Sequence, residues 1–269
     1  MVKNAMIYCL LGLSALILFF PILYAVSASL MSTEEMYGGK LIPSQFLLEN
    51  YAAALQSVPL LKFLLNSLIV SATVMIGQIA VSSLAAYAFV YIPFKGRTFI
   101  FYLFISTMMI PWEATMIPNY LTILHLNWIN TYQGLSVPFF ALAFGTFLLR
   151  QHFLTIPKEL REAAELEGCG HLRFLLSFVL PLSKPMLAAL GVYGFLTTWN
   201  MYLWPLLATT NKSVRTVQIG LKMMQSQENS TNWPVVMAGV VIVLLPTLIF
   251  LFVGLKQLKK GLMSGALKG

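Results

Sequence analysis

The chain has 269 residues, of which 58% are hydrophobic and only 10% charged, and its mean hydropathy is +0.80. An average soluble domain carries roughly 25% charged residues, so these figures exclude a water-soluble fold and a disordered chain, while 17 Gly, 13 Pro and 2 Cys exclude a collagen-like or disulfide-framework protein. What remains is an integral membrane protein with 17 Lys and Arg against nine acids, all Glu. That excess reads as basic cytoplasmic loops and no nucleic acid, since no basic run is longer than Lys259-Lys260.

A transmembrane helix needs about 20 mostly apolar residues. Six stretches qualify, near residues 7–30, 64–92, 98–118, 133–149, 185–207 and 234–255. The first carries Pro21, and the third is broken by Pro111 and Pro118. Pro138, Pro205 and Pro246 fall in the last three. The runs are long and continuous, unlike the short alternating strands of a barrel. The first is longer than the apolar region of a signal peptide and is expected to stay as a helix. The expected fold is therefore an all-α integral membrane protein with six transmembrane helices, a single transmembrane domain over 1–269. Placing both termini in the cytoplasm puts twelve of the 17 basic residues inside and leaves Lys40, Lys62, Lys212, Arg215 and Lys222 outside.

The loops are unequal. Residues 31–62 and 208–233, on the outside, are long enough for caps or docking surfaces, whereas 93–97 is a short inner turn. The inner loop 150–184 holds four of the nine Glu and five of the 17 basic residues, and a long charged loop between spans needs a reason to exist. Pro157 suits a helix start with Thr155 as a cap, and Lys158–Glu162 and Arg161–Glu165 are i,i+4 pairs. Leu160, Ala163, Ala164 and Glu167 share a face kept low by the alanines. Gly168 and Gly170 end the helix, and a second run, 171–180, stops before Pro181. Helix, glycine elbow, helix is one reading; a solvated amphipathic linker is the other. Cys9 and Cys169 lie far apart, outside any CxxC or Cys/His cluster, and read as structural thiols with no metal.

The run Glu162-Ala163-Ala164, three residues, Gly168, nine residues, Phe178, one residue, Leu180-Pro181 resembles the EAA loop of membrane subunits of bacterial ABC importers. The family pattern has an aliphatic residue in place of Phe178 and often Asp in place of Glu167. The resemblance extends over nearly the whole chain. It includes Asn66-Ser67-Leu68, Ala85-Ala86-Tyr87-Ala88 with the turn 93–97, and Met109-Ile110-Pro111. Thr131–Leu135, Trp199-Asn200, Trp204-Pro205-Leu206 and the tail with Lys260-Gly261-Leu262 and 265–269 add to it. The chain is identified as a member of the carbohydrate-uptake branch, which includes maltose, multiple-sugar and sn-glycerol-3-phosphate permeases.

That resemblance implies a bacterial cytoplasmic (inner) membrane protein that crosses the lipid bilayer several times. It implies three kinds of partner besides lipid: a second homologous membrane permease subunit, a dimer of ATP-binding subunits, and an extracytoplasmic solute-binding protein that delivers the solute. The chain itself carries no cofactor and is no enzyme; ATP and Mg belong to the partner ATPase, and no G-x-x-x-x-G-K-[ST] cradle occurs here. Glu162, Ala163, Ala164, Gly168, Leu180 and Pro181 are implied to form the ATPase-coupling loop. Lys260, Gly261 and Lys268 are implied to lie on an ATPase-contacting tail, the other reading being a basic lipid anchor.

Candidates for the solute pathway are Glu113, between Pro111 and Pro118, and Asn200 and Tyr202 late in the fifth span. An interfacial Glu and an outer aromatic belt, the latter favoured for Trp204, are the plainer readings. Two solute classes stay open: a sugar or oligosaccharide, and sn-glycerol 3-phosphate. The fifth span resembles the glycerol-phosphate branch, yet no span interior holds Lys or Arg for a phosphate. The alternative from another class is a secondary transporter or channel acting without an ATPase. No inverted repeat and no buried acid/base chain support it.

Overall fold

The structure, a computed structural model, describes residues 2–225 and 231–266. Every regular element among them is helical. In chain order they are α1 (Val2–Ala28), α2 (Thr33–Tyr37), α3 (Glu49–Ser57), α4 (Leu60–Tyr91), α5 (Arg97–Ser106), α6 (Trp112–His125), α7 (Tyr132–Ser136) and α8 (Ala143–Phe153). There follow α9 (Lys158–Leu166), α10 (His171–Phe174), a π-helical turn Leu175–Val179, α11 (Leu180–Leu182), α12 (Lys184–Trp199), α13 (Leu203–Ala208), α14 (Val217–Gln225) and α15 (Trp233–Ala266).

Three segments, Met6–Ala28, Leu60–Tyr91 and Trp233–Gly254, are each long and apolar enough to cross a bilayer. Three further stretches pass only as bent pairs. Arg97–Met109 turns into α6 by 99°, Tyr132–Phe139 into α8 by 47°, and His171–Leu182 into α12 by 83°. The first bend has a local cause. Pro111 lacks an N–H and pushes its predecessor out of the helical region, and Ile110 is extended at φ −85°, ψ 115°.

The chain divides into two compact units, one of residues up to Leu65 with Thr216–Pro246, the other of Asn66–Arg215 with residues from Thr247 onward. In the first unit, the end of α1 is pinned to α3. Asn50 Nδ2 donates to the carbonyls of Ser29 and Met31 at 3.0 and 2.9 Å, and Tyr51 OH pairs with Ser29 Oγ at 2.7 Å. The fully buried Phe63 ring lies against Gly220, where a Cβ would come within 2.7 Å of it.

The connection between α1 and α3 is organised by one carboxylate. Ser32 and Glu35 form a capping box at α2, and Glu35 also accepts from the Ser44 backbone N–H at 3.0 Å and from Lys40 Nζ at 3.1 Å. Hydrogen bonds from Ser44, with smaller contributions from Lys40 and Ser32, lower the Glu35 pKa from 4.5 to about 2. A lowered carboxylate pKa stabilises the folded loop above the unfolded value, and the effect fades as pH falls from 4.5 through about 2. Glu35→Gln is therefore expected to speed amide exchange at Ser44 at pH 5. The gap from the parent should close as pH approaches 2; a gap that persists there would refute the carboxylate's role.

The second unit has two buried clusters. In one, Trp204 is fully buried, its Nε1 donating to the Gly134 carbonyl at 3.1 Å and its ring packed edge-on against Trp112 and Phe139. This corrects the expectation of an aromatic belt for Trp204: an indole N–H with a backbone acceptor inside the protein has no need of the interface. Asn66 is buried too. Its Nδ2 donates to the carbonyls of Ser213 and Arg215 at 3.0 and 2.9 Å, and its Oδ1 accepts from Tyr132 OH at 2.7 Å. At the break before α8, Gln78 Nε2 donates to the Phe139 carbonyl at 3.0 Å, so a side chain of α4 serves backbone that the helix no longer serves.

Candidate functional site

The second cluster of that unit carries the charged loop. Pro157 occupies the N-cap position just before α9, and the turn ahead of it is closed by Thr155 Oγ1 donating to the His152 carbonyl at 2.7 Å. Thr155 therefore does not cap α9, contrary to the sequence expectation. The other end closes as a Schellman motif. The Cys169 N–H donates to the Ala164 carbonyl at 2.8 Å and the Gly168 N–H to the Glu165 carbonyl at 2.9 Å, with Gly168 at φ +72°. Ala164 and Cys169, the pair that such a motif brings together, are both buried.

The faces of α9 are sharply different. Glu159, Glu162, Ala163 and Leu166, at helical spacing, are exposed, and Leu166 is 90% exposed. Ala164 is 6% exposed and packs with Tyr87, Phe174 and Leu175. The two alanines thus divide the work: Ala164 lets α9 approach its own chain, and Ala163 keeps the outer face low. Leu160, Ala163, Glu167, Cys169, Arg173 and Phe178 line a groove of about 510 Å³ beside the elbow.

Of the two i,i+4 pairs, Arg161–Glu165 closes at 2.6 Å. The Arg161 guanidinium also lies 5.0 Å from the Phe174 ring centroid and 3.5 Å from Tyr87 OH. Tyr87 OH meets His171 Nδ1 at 3.0 Å, and Tyr91 OH donates to the Phe153 carbonyl at 3.2 Å.

Beyond the elbow the helix does not stop before Pro181. It widens into the π turn Leu175–Val179 and continues through α11 to Ser183. Pro181 explains the widening, because its ring would crowd the carbonyl four residues back in a regular α-helix. Leu180 is half-buried and Pro181 exposed. Lys260 and Gly261 fall within α15, and Lys268 lies outside the described residues.

The pathway candidates are not brought together with that loop. Glu113 is exposed in the first turn of α6, directly after the 99° bend. Asn200 caps the end of α12, its Nδ2 donating to the Leu196 carbonyl at 2.8 Å, and the half-buried Tyr202 precedes α13. The fifth apolar run is thus open at 200–202, where its two candidate residues sit.

Residues 78–257 match the family described as binding-protein-dependent transport system inner membrane component. The chain belongs to this family. It is an inner-membrane permease subunit of an ABC importer, which sets aside the self-sufficient transporter. Relatives named sn-glycerol-3-phosphate transport system permease protein UgpE occur in Brucella suis, Rhizobium meliloti and Escherichia coli. The Brucella suis protein is 37% identical over 98% of this chain and 97% of its own length. The Rhizobium meliloti protein is 38% identical over the same shares. The Escherichia coli protein is 36% identical over 96% and 95%. A chain of a bacterial ABC transporter involved in import of the acidic polysaccharide alginate has the same fold, with a TM-score of 0.86 and 24% identity over 95% of this chain and 96% of that one.

The run that resembles the EAA motif begins at Glu162, and around it the structure places Leu166, Arg161 and Tyr87, which are not among that run's matched residues. Leu166 carried a signal, being an apolar residue four positions after Glu162 on an otherwise charged stripe. The contact of Tyr87 with Arg161 carried none, since the two lie 74 residues apart.

Proposed function

We propose that this chain forms half of the translocation pathway of an ATP-driven importer and is moved through α9. The observation that carries the reading is the two-faced helix. One face is packed on the chain's own core and the other offers Glu162, Ala163 and a Leu166 that is 90% exposed. A leucine so exposed beside a carboxylate suits a protein partner better than water. In this reading each bent pair counts as one span, which gives six, and both termini and the loop 150–184 lie in the cytoplasm. The second permease subunit completes the pathway, and the solute-binding protein delivers to the outer side. ATP and Mg sit on the ATPase pair, whose closure displaces α9. Lys260, Gly261 and Lys268 supply a second contact with that pair.

The solute proposed is sn-glycerol 3-phosphate, supported by relatives of that name over nearly the full chain. A neutral carbohydrate is the second reading, favoured by the lack of Lys and Arg in the span interiors. Glu113, Asn200 and Tyr202 are the chain's own pathway candidates, with the phosphate's cationic partners on the companion subunit. Uptake of radiolabelled sn-glycerol 3-phosphate by cells expressing the whole system decides. Uptake lost on deleting this chain and unaffected by excess maltose is the expected result. No uptake of the phosphate, with uptake of radiolabelled maltose that is lost on deleting this chain, supports the neutral sugar instead.

A further inference from the structure

Arg161 is the charged side chain of α9 that turns inward, only 13% exposed. Burying a guanidinium is costly unless its hydrogen bonds are met. Here they are met from two sides: Glu165 holds it within α9, and Tyr87 reaches it from α4. Tyr87 is 4% exposed, packed against Tyr91 at 4.9 Å and Phe174 at 6.5 Å, and its hydroxyl also holds His171 at the start of α10. One hydroxyl therefore ties a long apolar helix to both halves of the charged loop. What the guanidinium adds is direction, because a planar fork between a carboxylate, a ring face and a hydroxyl fixes the angle of α9 against α4.

We infer that Tyr87 and Arg161 are positioning residues that form the joint through which displacement of α9 reaches α4. The joint rests on the reading of α9 as the ATPase-docking helix. The outward residues receive the push, and Arg161, on the opposite side of the same turn, delivers it to Tyr87. Loose packing would absorb such a displacement, whereas a buried and bonded contact transmits it.

The test uses the whole complex, purified with its ATPase subunits and placed in nanodiscs. Hydrogen exchange is compared with and without ATP and vanadate. In the parent, nucleotide is expected to change exchange both over 158–166 and over 84–91. In Tyr87→Phe, which keeps the ring, and in Arg161→Lys, which keeps the charge, the change over 158–166 should persist. The change over 84–91 should fall roughly tenfold, within the usual range for coupling between sites. A merely structural role would leave the nucleotide response over 84–91 intact while lowering thermal stability. A full response over 84–91 in either variant overturns the joint and leaves the docking role of α9 standing. No response over 158–166 in the parent overturns the docking role, and the joint with it.

Discussion

Gly168→Leu is expected to yield a protein that reaches the membrane and assembles, yet transports poorly. Gly168 has φ +72°, and a Cβ there would meet nothing within 4 Å. The cost is therefore conformational, about 1–2 kcal/mol for a side chain in the left-handed region. The surrounding space imposes no further cost, so the fold survives. The Schellman closure does not survive unchanged. Relaxing φ at 168 pulls the Cys169 N–H off the Ala164 carbonyl and swings α9 relative to α10. If α9 is the lever, losing its set angle removes coupling of the usual size, and uptake falls roughly 5- to 150-fold while ATPase copurification stays near the parent. Gly168→Asn, which tolerates the left-handed region, should recover much of the uptake. Full uptake by Gly168→Leu would contradict the lever.

Gly134→Ala is expected to do the opposite and damage the fold itself. A Cβ at Gly134 would overlap the Trp128 carbonyl oxygen, a backbone atom that no rotamer change can move. Overpacking of this kind costs typically 1–3 kcal/mol and more where backbone must shift. Here the shift also draws the Gly134 carbonyl away from Trp204 Nε1, leaving a fully buried indole N–H short of its acceptor. The melting temperature of the purified chain should drop by several degrees, or the chain should fail to accumulate. Gly12→Ala, at a glycine with nothing within 4 Å, is the matched control and should behave as the parent. An unshifted melting temperature for Gly134→Ala would mean that the α7 contact is softer than described.

These two glycines show what a sequence can tell. The role of Gly168 was legible because a helix of charged i,i+4 pairs ended on it, and a glycine after such a run has one common use. Gly134 falls within Thr131–Leu135, which the family resemblance includes, but the carbonyl that excludes a side chain comes from a turn six residues earlier, where no pattern marks it. Composition was enough for a membrane protein, and the length of the apolar runs for an all-helical one. The bends were less legible. Pro111 announced one, yet the helix expected to stop before Pro181 runs past it and turns by 83° at Ser183, between Pro181 and Pro185. Trp204 was misjudged because a tryptophan ahead of a proline looks the same at a membrane surface and in a core. Its acceptor, on a segment 70 residues away, decides the matter. The contact between Tyr87 and Arg161 stayed invisible for the same reason. Local spacing reports the neighbours within a turn and says nothing of partners across the chain.

The central claim is that the outer face of α9 meets the ATPase, and site-directed crosslinking tests it most directly. Ala163→Cys, in a Cys9→Ser background that leaves the buried Cys169 in place, is joined by a short bifunctional reagent within the purified complex. Tyr37→Cys, exposed in the connection between α1 and α3, serves as the comparison. The account predicts a product between Ala163→Cys and the ATP-hydrolysing subunit, its yield altered by ATP and vanadate, and no such product from Tyr37→Cys. A product from Tyr37→Cys, or none from Ala163→Cys in a complex that hydrolyses ATP, would contradict it.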